Sequence, residues 1–269
     1  MTDPMDDETK VWKRLERKEE RYEREQRFLR KDSEEYEALE EVFDKTTLMA
    51  VYKLMNDGVI SRFHGIVSAG KEARIYSGED SKGQPIAIKI YLTVTAEFRK
   101  GRMKYILGDP RFLSVSKDIR KLINLWASKE FKNLKKAYDA GVNVPRPIHW
   151  LKNVVVMEFI GDNFIPAPLL RDVEVDENLY LAVLEEVRKL YVKASLIHTD
   201  LSEYNIFVYG DRVILFDFAQ AVLKDHPLSE EFLIRDISNI NDFFMKRGLE
   251  VVDLENALKF VKGEVEDVF

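Results

Sequence analysis

The run His198-Thr199-Asp200-Leu201-Ser202-Glu203-Tyr204-Asn205 is followed by Phe216-Asp217-Phe218, with Asp217 twelve residues beyond the asparagine. An aspartate five residues before an asparagine, then a second aspartate after a hairpin, is a spacing with a chemical reason. Asp200 can orient an attacking hydroxyl. The amide oxygen of Asn205 and the carboxylate of Asp217 can meet on a Mg²⁺ that bridges phosphates. Residues 206–209 and 213–216, turning at Gly210-Asp211, form the hairpin that joins the two ends of the loop. Any single aspartate here could be a turn former or a cap. The full set, with an apolar strand leading into Asp217, points to phosphoryl transfer. His198 reads as a packing residue rather than an acid or base.

A second part lies upstream at Ala87-Ile88-Lys89-Ile90. Lys89 alternates with Ile86, Ile88 and Ile90 and so faces away from them. On the helix expected over residues 117–140, Ile119, Ile123, Trp126 and Leu134 share one face, and Glu130, four residues after Trp126, falls within that stripe. A carboxylate on a buried stripe needs a cationic partner or its desolvation is uncompensated. Lys89 is the natural partner, and such a pair can hold the α- and β-phosphates of a nucleotide. Ser68-Ala69-Gly70-Lys71-Glu72-Ala73 offers a glycine for close backbone approach and a hydroxyl and charge for phosphates, although a plain turn between strands fits it as well.

Composition bounds the rest. Of 269 residues 45% are apolar and 11% aromatic, enough for a packed core. The charged fraction of 33% exceeds the roughly 25% usual for globular domains, and the surplus sits in residues 6–41. There, acid–base pairs such as Glu20–Arg24 support an exposed helical arm, and Val11, Leu15, Tyr22, Leu29 and Tyr36 form one thin stripe able to dock on a partner. The net charge of −6 disfavours a protein that coats bare nucleic acid by charge alone. Without cysteine there are no disulfides, thiol nucleophiles or thiolate zinc sites, and the four histidines lack metal-ligand spacing. An acidic start with no apolar run behind it predicts no signal peptide, and no stretch approaches the ~18 apolar residues of a membrane span. A soluble cytoplasmic protein is expected.

The remaining elements read in order as strands at 60–66, 73–78 and 84–91, the long helix capped by Gly141, and a buried strand at 154–159. A proline-containing linker at 162–168, a helix at 179–194 and a helical tail at 230–261 follow. This layout is α+β in two lobes.

Ser-Ala-Gly-Lys-Glu-Ala (68–73), Ala-Ile-Lys-Ile-Tyr (87–91), Lys-Glu-Phe-Lys-Asn-Leu (129–134), Met-Glu-Phe-Ile-Gly (157–161), the Asp200 run (198–205) and Asp-Phe-Ala-Gln-Ala-Val (217–222) resemble the Rio family of atypical protein kinases. The type-one subfamily fits best, because the charged arm leaves no room for the winged helix of the type-two subfamily. The likeness runs from about Thr46 to Gly263. It implies a truncated, two-lobed kinase-like fold: an arm at 1–45, an N-lobe at 46–158 and a C-lobe at 159–269 that lacks the usual peptide-substrate helices. It implies ATP with Mg²⁺ (Mn²⁺ as an alternative) and a serine/threonine kinase or ATPase acting in small-ribosomal-subunit maturation. The partners implied are ribosome-assembly proteins, the pre-ribosomal particle and the chain itself; no membrane is involved.

Mapped onto this chain, the resemblance makes Lys89, Asp200 and Asp217 catalytic, with Asp217 also a candidate to accept phosphate. Asn205 and Asp217 hold the metal. Ser68, Gly70, Lys71, Ala87, Lys89, Glu130, Met157, Glu158 and Ile160 surround the nucleotide, with adenine under Ile66 and Ala87 and Met157 behind it. Phe218-Ala219 stands where relatives often have glycine, and Thr199 replaces the arginine of ordinary kinases, so control by a phosphorylated activation loop is not expected. The span 93–116 is longer than in ordinary kinases and carries Arg99-Lys100-Gly101-Arg102, Lys104, Arg111, Ser114 and Ser116. A loop mobile without ligand, with Ser114 or Ser116 autophosphorylated, is the expectation. A small-molecule phosphotransferase of the antibiotic-kinase type and a non-catalytic nucleotide-binding assembly factor are the competing functions.

Overall fold

The computed structural model describes residues 43–92, 103–106, 109, 111 and 118–268. The charged arm, Ser114 and Ser116 lie outside the described residues. The chain divides into two units, residues 1–52 and 53–269. Helix α1 (Lys45–Asn56) begins under a side-chain cap: the Asp44 carboxylate accepts the N–H groups of Thr46 and Thr47 at 2.9 Å each.

In the second unit the chain forms β1 (Arg62–Ala69), β2 (Ala73–Glu79), β3 (Pro85–Tyr91), the long helix α2 (Ile119–Asp139), β4 (Pro147–Leu151) and β5 (Val154–Glu158). The strands make one antiparallel sheet in the order β1-β2-β3-β5-β4. β4 is a strand absent from the sequence reading, since Pro147-Ile148-His149-Trp150 has no clean alternation. The Asp80 carboxylate accepts the N–H groups of Lys82 and Gln84, and Gly83 at φ 73° closes the turn between β2 and β3. Strand β3 is central and covered on both faces, so Ile86, Ile88, Lys89, Ile90 and Tyr91 are all buried.

Helix α2 packs on β4 and β5. Asp118 caps its start by accepting from Arg120 and Lys121. Its end is a Schellman turn, with Gly141 at φ 78°, the Gly141 N–H on Tyr138 and the Val142 N–H on Ala137. The apolar stripe is present at Leu122, Ile123, Trp126, Ala127 and Leu134. Ile119, expected to open it, is 40% exposed, because it stands ahead of the first turn that the core covers.

Beyond the sheet, the segment read as a linker holds a two-rung hairpin, β6 (Gly161–Asp162) with β7 (Ile165–Pro166). Helix α3 (Glu177–Val192), strands β8 (Leu196–Ile197), β9 (Ile206–Tyr209), β10 (Arg212–Leu215) and β11 (Val222–Leu223), and helices α4 (Ser229–Lys246) and α5 (Leu254–Lys262) follow. The tail expected as one helix is thus two. Gly248 at φ 88° turns the chain out of α4, and Asp253 caps α5 through the Asn256 N–H. One apolar core runs from Trp126 and Val155 through Tyr180, Leu184 and Phe218 to Phe244 and Phe260. Among the described residues no helix is long and apolar enough to cross a membrane.

Gly161 carries the chain from the sheet into the hairpin at φ 147°, and a Cβ there would lie 2.1 Å from the Ile165 carbonyl oxygen and 2.8 Å from Pro166 Cα. Gly161→Ala is expected to lower stability by about 2 kcal/mol or more, read from urea denaturation.

Candidate active site

Three elements converge on one ammonium. Lys89 on β3 donates to Glu130 Oε1 of α2 at 2.7 Å and to Asp217 Oδ1 at 2.9 Å. Tyr91, two residues along the same strand and therefore on the same face, donates its hydroxyl to Glu130 Oε2 at 2.5 Å. The Lys89 and Glu130 side chains are sealed from water, whereas Asp217 is 40% exposed on the cleft side. Burial alone would lower the Lys89 pKa, but the carboxylates of Asp217 and Glu130 outweigh it and hold the amine well above the usual lysine value. Burial lifts the Glu130 carboxyl against the pull of Lys89, and the Asp217 charge adds to that lift.

Asp217 adopts φ 64°, a left-handed conformation unusual for a non-glycine residue and characteristic of functional turns. The backbone beyond it is held by α2. The Lys129 ammonium, fully buried, donates to the carbonyls of Ala219 (3.1 Å) and Ala221, and Asn133 Nδ2 donates to Phe218 (3.0 Å) and Ala221 (2.7 Å). Burial, and secondarily the Arg111 charge, pushes the Lys129 pKa down to about 7. Arg111 bonds both Asp109 and Asn133 Oδ1 (2.9 Å), so two described residues of the long 93–116 span are anchored to this brace.

The catalytic-type loop is held from α4. Buried Asp236 accepts the N–H of Thr199 at 2.7 Å and of Leu201 at 3.1 Å, one on each side of Asp200. Arg235 donates to the Thr199 carbonyl and Asn239 to the Leu201 carbonyl. Burial drives the Asp236 carboxyl up to about 7 in spite of its two backbone donors. His198 is buried, its Nε2 lies 2.8 Å from the Phe216 carbonyl, and its ring packs edge-on to Phe218. Asp200 itself is exposed to the cleft and accepts from Gln220 Nε2 at 2.7 Å.

A cavity of about 640 Å³ is lined by Ser68, Ala87, Lys89, Glu130, Met157, Glu158, Ile160, Asn205 and Asp217. An adjoining one of about 290 Å³ is lined by Ser68, Gly70, Lys71, Lys89, Asp200 and Asp217. Of the residues placed at the nucleotide by the sequence, all but one line one or other of these two cavities. Ile66 is the exception: it is 55% exposed, and its neighbour Val67 lines the cavity instead, at an irregularity where the β1–β2 register shifts between Ile66 and Ser68. At the cavity's far side the rings of Phe207 and Phe216 stack at 4.1 Å.

The oxygen donors suit a hard divalent cation. Asn205 Nδ2 donates to the Asp200 carbonyl at 2.7 Å, so Oδ1 is the atom with which it could hold a metal, in the cavity that Asp217 also lines. Among the described residues no cluster of three or more His, Asp or Glu could hold a metal alone. One carboxylate and one amide oxygen, completed by phosphates and water, is the pattern Mg²⁺ uses.

This geometry places the chain among the protein-kinase folds. A family model of the RIO domain matches residues 74–257. The Rio1 serine/threonine-protein kinase of Haloferax volcanii is 39% identical over 87% of this chain and 80% of its own length, and that of Methanocaldococcus jannaschii 38% over 91% and 82%. Human serine/threonine-protein kinase RIO1 is 39% identical over 86% of this chain, which spans 42% of the human protein's length. Among solved structures, the Rio2 kinase–ADP/Mg²⁺–phosphoaspartate complex from Chaetomium thermophilum aligns with a TM-score of 0.60 at 25% identity, over 80% of this chain and 66% of that one. The chain belongs to the RIO family of atypical kinases and is of the Rio1 type.

Tyr91, Lys129, Asn133, Asp236 and Gln220 were not singled out from sequence as parts of the site. Lys129, Asn133 and Asp236 each sit on a buried helical stripe, Asp236 between Leu233 and Ile237, and the argument that found Glu130 applies to each of them.

Two outcomes follow from these contacts. Lys89→Met strands a buried carboxylate and is expected to cost about 3–5 kcal/mol in urea denaturation, most of it recovered by adding Glu130→Gln. Asp236 carries a raised pKa in the fold, so the stability it contributes is complete below its ordinary value of 3.8 and is lost as pH rises through about 7. Asp236→Asn is expected to flatten the stability-versus-pH curve across that window. It is also expected to lower turnover about tenfold, because one loop N–H loses its acceptor.

Proposed function

We propose that this chain transfers the γ-phosphoryl group of ATP, with Mg²⁺, to serine or threonine hydroxyls and to itself. The observation that carries this reading is the Lys89 ammonium held at once by Glu130 and Asp217, in the cleft that also contains Asp200 and Asn205. In phosphoryl transfer the protein supplies position and charge rather than covalent chemistry. Lys89 neutralises the α- and β-phosphates. Asp200, held by the Asp236 brackets, orients the attacking hydroxyl. Asn205 and Asp217 would hold Mg²⁺, whose charge offsets that of the transferring group. Adenine lies against Ala87 and Val67, with Met157 behind. The Glu158 N–H is already spent on Arg146 and the Ile160 carbonyl on Ala167, so we assign the base to the Glu158 carbonyl and the Ile160 N–H.

A Rio2 kinase has been solved with ADP, Mg²⁺ and a phosphoaspartate. That precedent supports a second role for Asp217 as an acceptor, since it is a partly exposed carboxylate beside Lys89. Action in small-subunit maturation rests on family membership alone. The intact Lys89, Asp200, Asn205 and Asp217 set argues against a purely structural assembly factor. Ser202-Glu203-Tyr204, in place of the second loop histidine of antibiotic-type phosphotransferases, argues against a small-molecule substrate.

Incubation of the full chain with labelled ATP and Mg²⁺, separating free phosphate, acid-stable phosphoprotein and acid-labile phosphoprotein, tests the reading. Asp217→Asn should lose Mg²⁺-dependent nucleotide affinity and turnover, whereas Asp200→Asn should keep affinity and lose transfer by about 10²-fold or more. Full activity in both variants would remove the phosphotransferase reading.

A further inference from the structure

We propose that Arg111, on the long insertion between β3 and α2, is a positioning residue for the metal site: it orients the side chain of Asn133, and through Asn133 the turn that presents Asp217. The inference rests on the phosphotransferase reading above. It gives the insertion a part in that reaction through a residue that lines neither cavity.

The insertion reaches Asn133 by two kinds of contact. Tyr105 and Ile106 are an apolar pair in a segment rich in charge, and both are buried. The Tyr105 ring lies 5.4 Å from that of Phe232 on α4 and 6.5 Å, edge-on, from that of Trp126 on α2. The Asp109 N–H donates to the Ile106 carbonyl at 3.2 Å, so this plug fixes where the next polar residues fall. The Asp109 side chain is wholly buried and accepts the Arg111 N–H at 3.0 Å. It also takes the guanidinium on both oxygens, Nε on Oδ1 at 2.9 Å and Nη2 on Oδ2 at 2.6 Å. A two-point pair of planar groups fixes the plane of the guanidinium as well as its place. From there Nη2 donates to Asn133 Oδ1 at 2.9 Å.

An amide side chain has an accepting end and a donating end, and in wholly buried Asn133 each end is claimed by a different element. Oδ1 takes the Arg111 guanidinium, and Nδ2 donates to the carbonyls of Phe218 and Ala221. Without the guanidinium a buried oxygen would lack its donor, and a turned amide would set that oxygen against two carbonyl oxygens. Phe218 directly follows Asp217, whose φ of 64° is one that a non-glycine residue keeps only where its surroundings impose it. Lys89 holds the Asp217 carboxylate and Asn133 the peptide just beyond it, so the direction of the carboxylate is set from both sides. Arg111 therefore stands to Asp217 as an outer-shell partner stands to a metal ligand, acting on it through one intervening side chain.

The test uses the full chain and Mn²⁺ as a paramagnetic stand-in for Mg²⁺, titrated into protein held in excess over ADP and followed through the resonance signal of the free ion. Arg111→Met removes the guanidinium but leaves the Asp109 carboxylate buried without it. The paired variant Asp109→Asn/Arg111→Met, which removes both charges together, is therefore made beside it. In either, Mn²⁺ should be held about tenfold more weakly, while metal-free ADP affinity by calorimetry stays within about twofold. In an Asn133→Ala background, Arg111→Met should weaken Mn²⁺ binding by less than about twofold further, since the route is already cut. Unchanged Mn²⁺ affinity in the paired variant overturns the proposal. So does an equal loss of metal-free ADP affinity, which would mark a general loosening of the fold, and so does full additivity with Asn133→Ala. An unaltered chain that binds no ADP, with or without Mn²⁺, overturns the phosphotransferase reading instead, an outcome visible before any variant is made.

Discussion

A lysine ammonium buried between two carboxylates cannot be left half-satisfied, and Lys89 imposes that condition on three parts of the chain. It requires β3 to lie in the middle of the sheet, α2 to present Glu130 at the right height, and the residue after Phe216 to turn a carboxylate inward. The penalty for a missing partner in so dry a place is several kcal/mol, so the sheet, the helix and the C-terminal loop are mutually registered by one charge. Tyr91 strengthens the arrangement. By occupying the second oxygen of Glu130 it leaves that carboxylate bonded on both sides. The helix is therefore held in place by contacts internal to the protein.

The same helix organises the opposite wall of the cleft. Glu130 reaches up to β3, while Lys129 and Asn133 reach across to the backbone following Asp217. Consecutive residues 129 and 130 thus carry opposite charges to opposite partners, both in the interior. The loop around Asp200 depends in a comparable way on α4, where Asp236 brackets it from below. Each catalytic-type carboxylate is exposed to the cleft but mounted on backbone whose polar groups are satisfied by buried side chains, which fixes the carboxylate without burying it.

Much of this was legible in the residues. The spacing from Asp200 through Asn205 to Asp217, the alternation that isolates Lys89 and the stripe that carries Glu130 follow from period and valence, and those rules hold in any fold. What escaped was of a different kind. β4 lacks alternation because it is an edge strand, half covered by α2, and the proline-containing linker hides a hairpin whose turn uses Asn163 and Phe164 at positive φ, without glycine. The tail was read as one helix because its apolar residues keep helical spacing on both sides of Gly248. Lys129 was passed over because a lysine next to a glutamate on a helix is usually a surface residue. Only the contents of the space opposite, the carbonyls of Ala219 and Ala221, show why it is buried.

The clasp on residues 218–221 also bears on how this cleft can be blocked. Phe218 is wholly buried against His198, and the carbonyls of Phe218, Ala219 and Ala221 are all engaged by α2. Compounds that gain affinity in other kinases by wedging into the space vacated when the corresponding phenylalanine swings outward would here have to break buried bonds from an ammonium and an amide first. Selective inhibitors of this chain should instead be built toward Tyr204 and Arg171, two exposed residues of the cavity wall whose guanidinium and ring pack on each other at 5.0 Å.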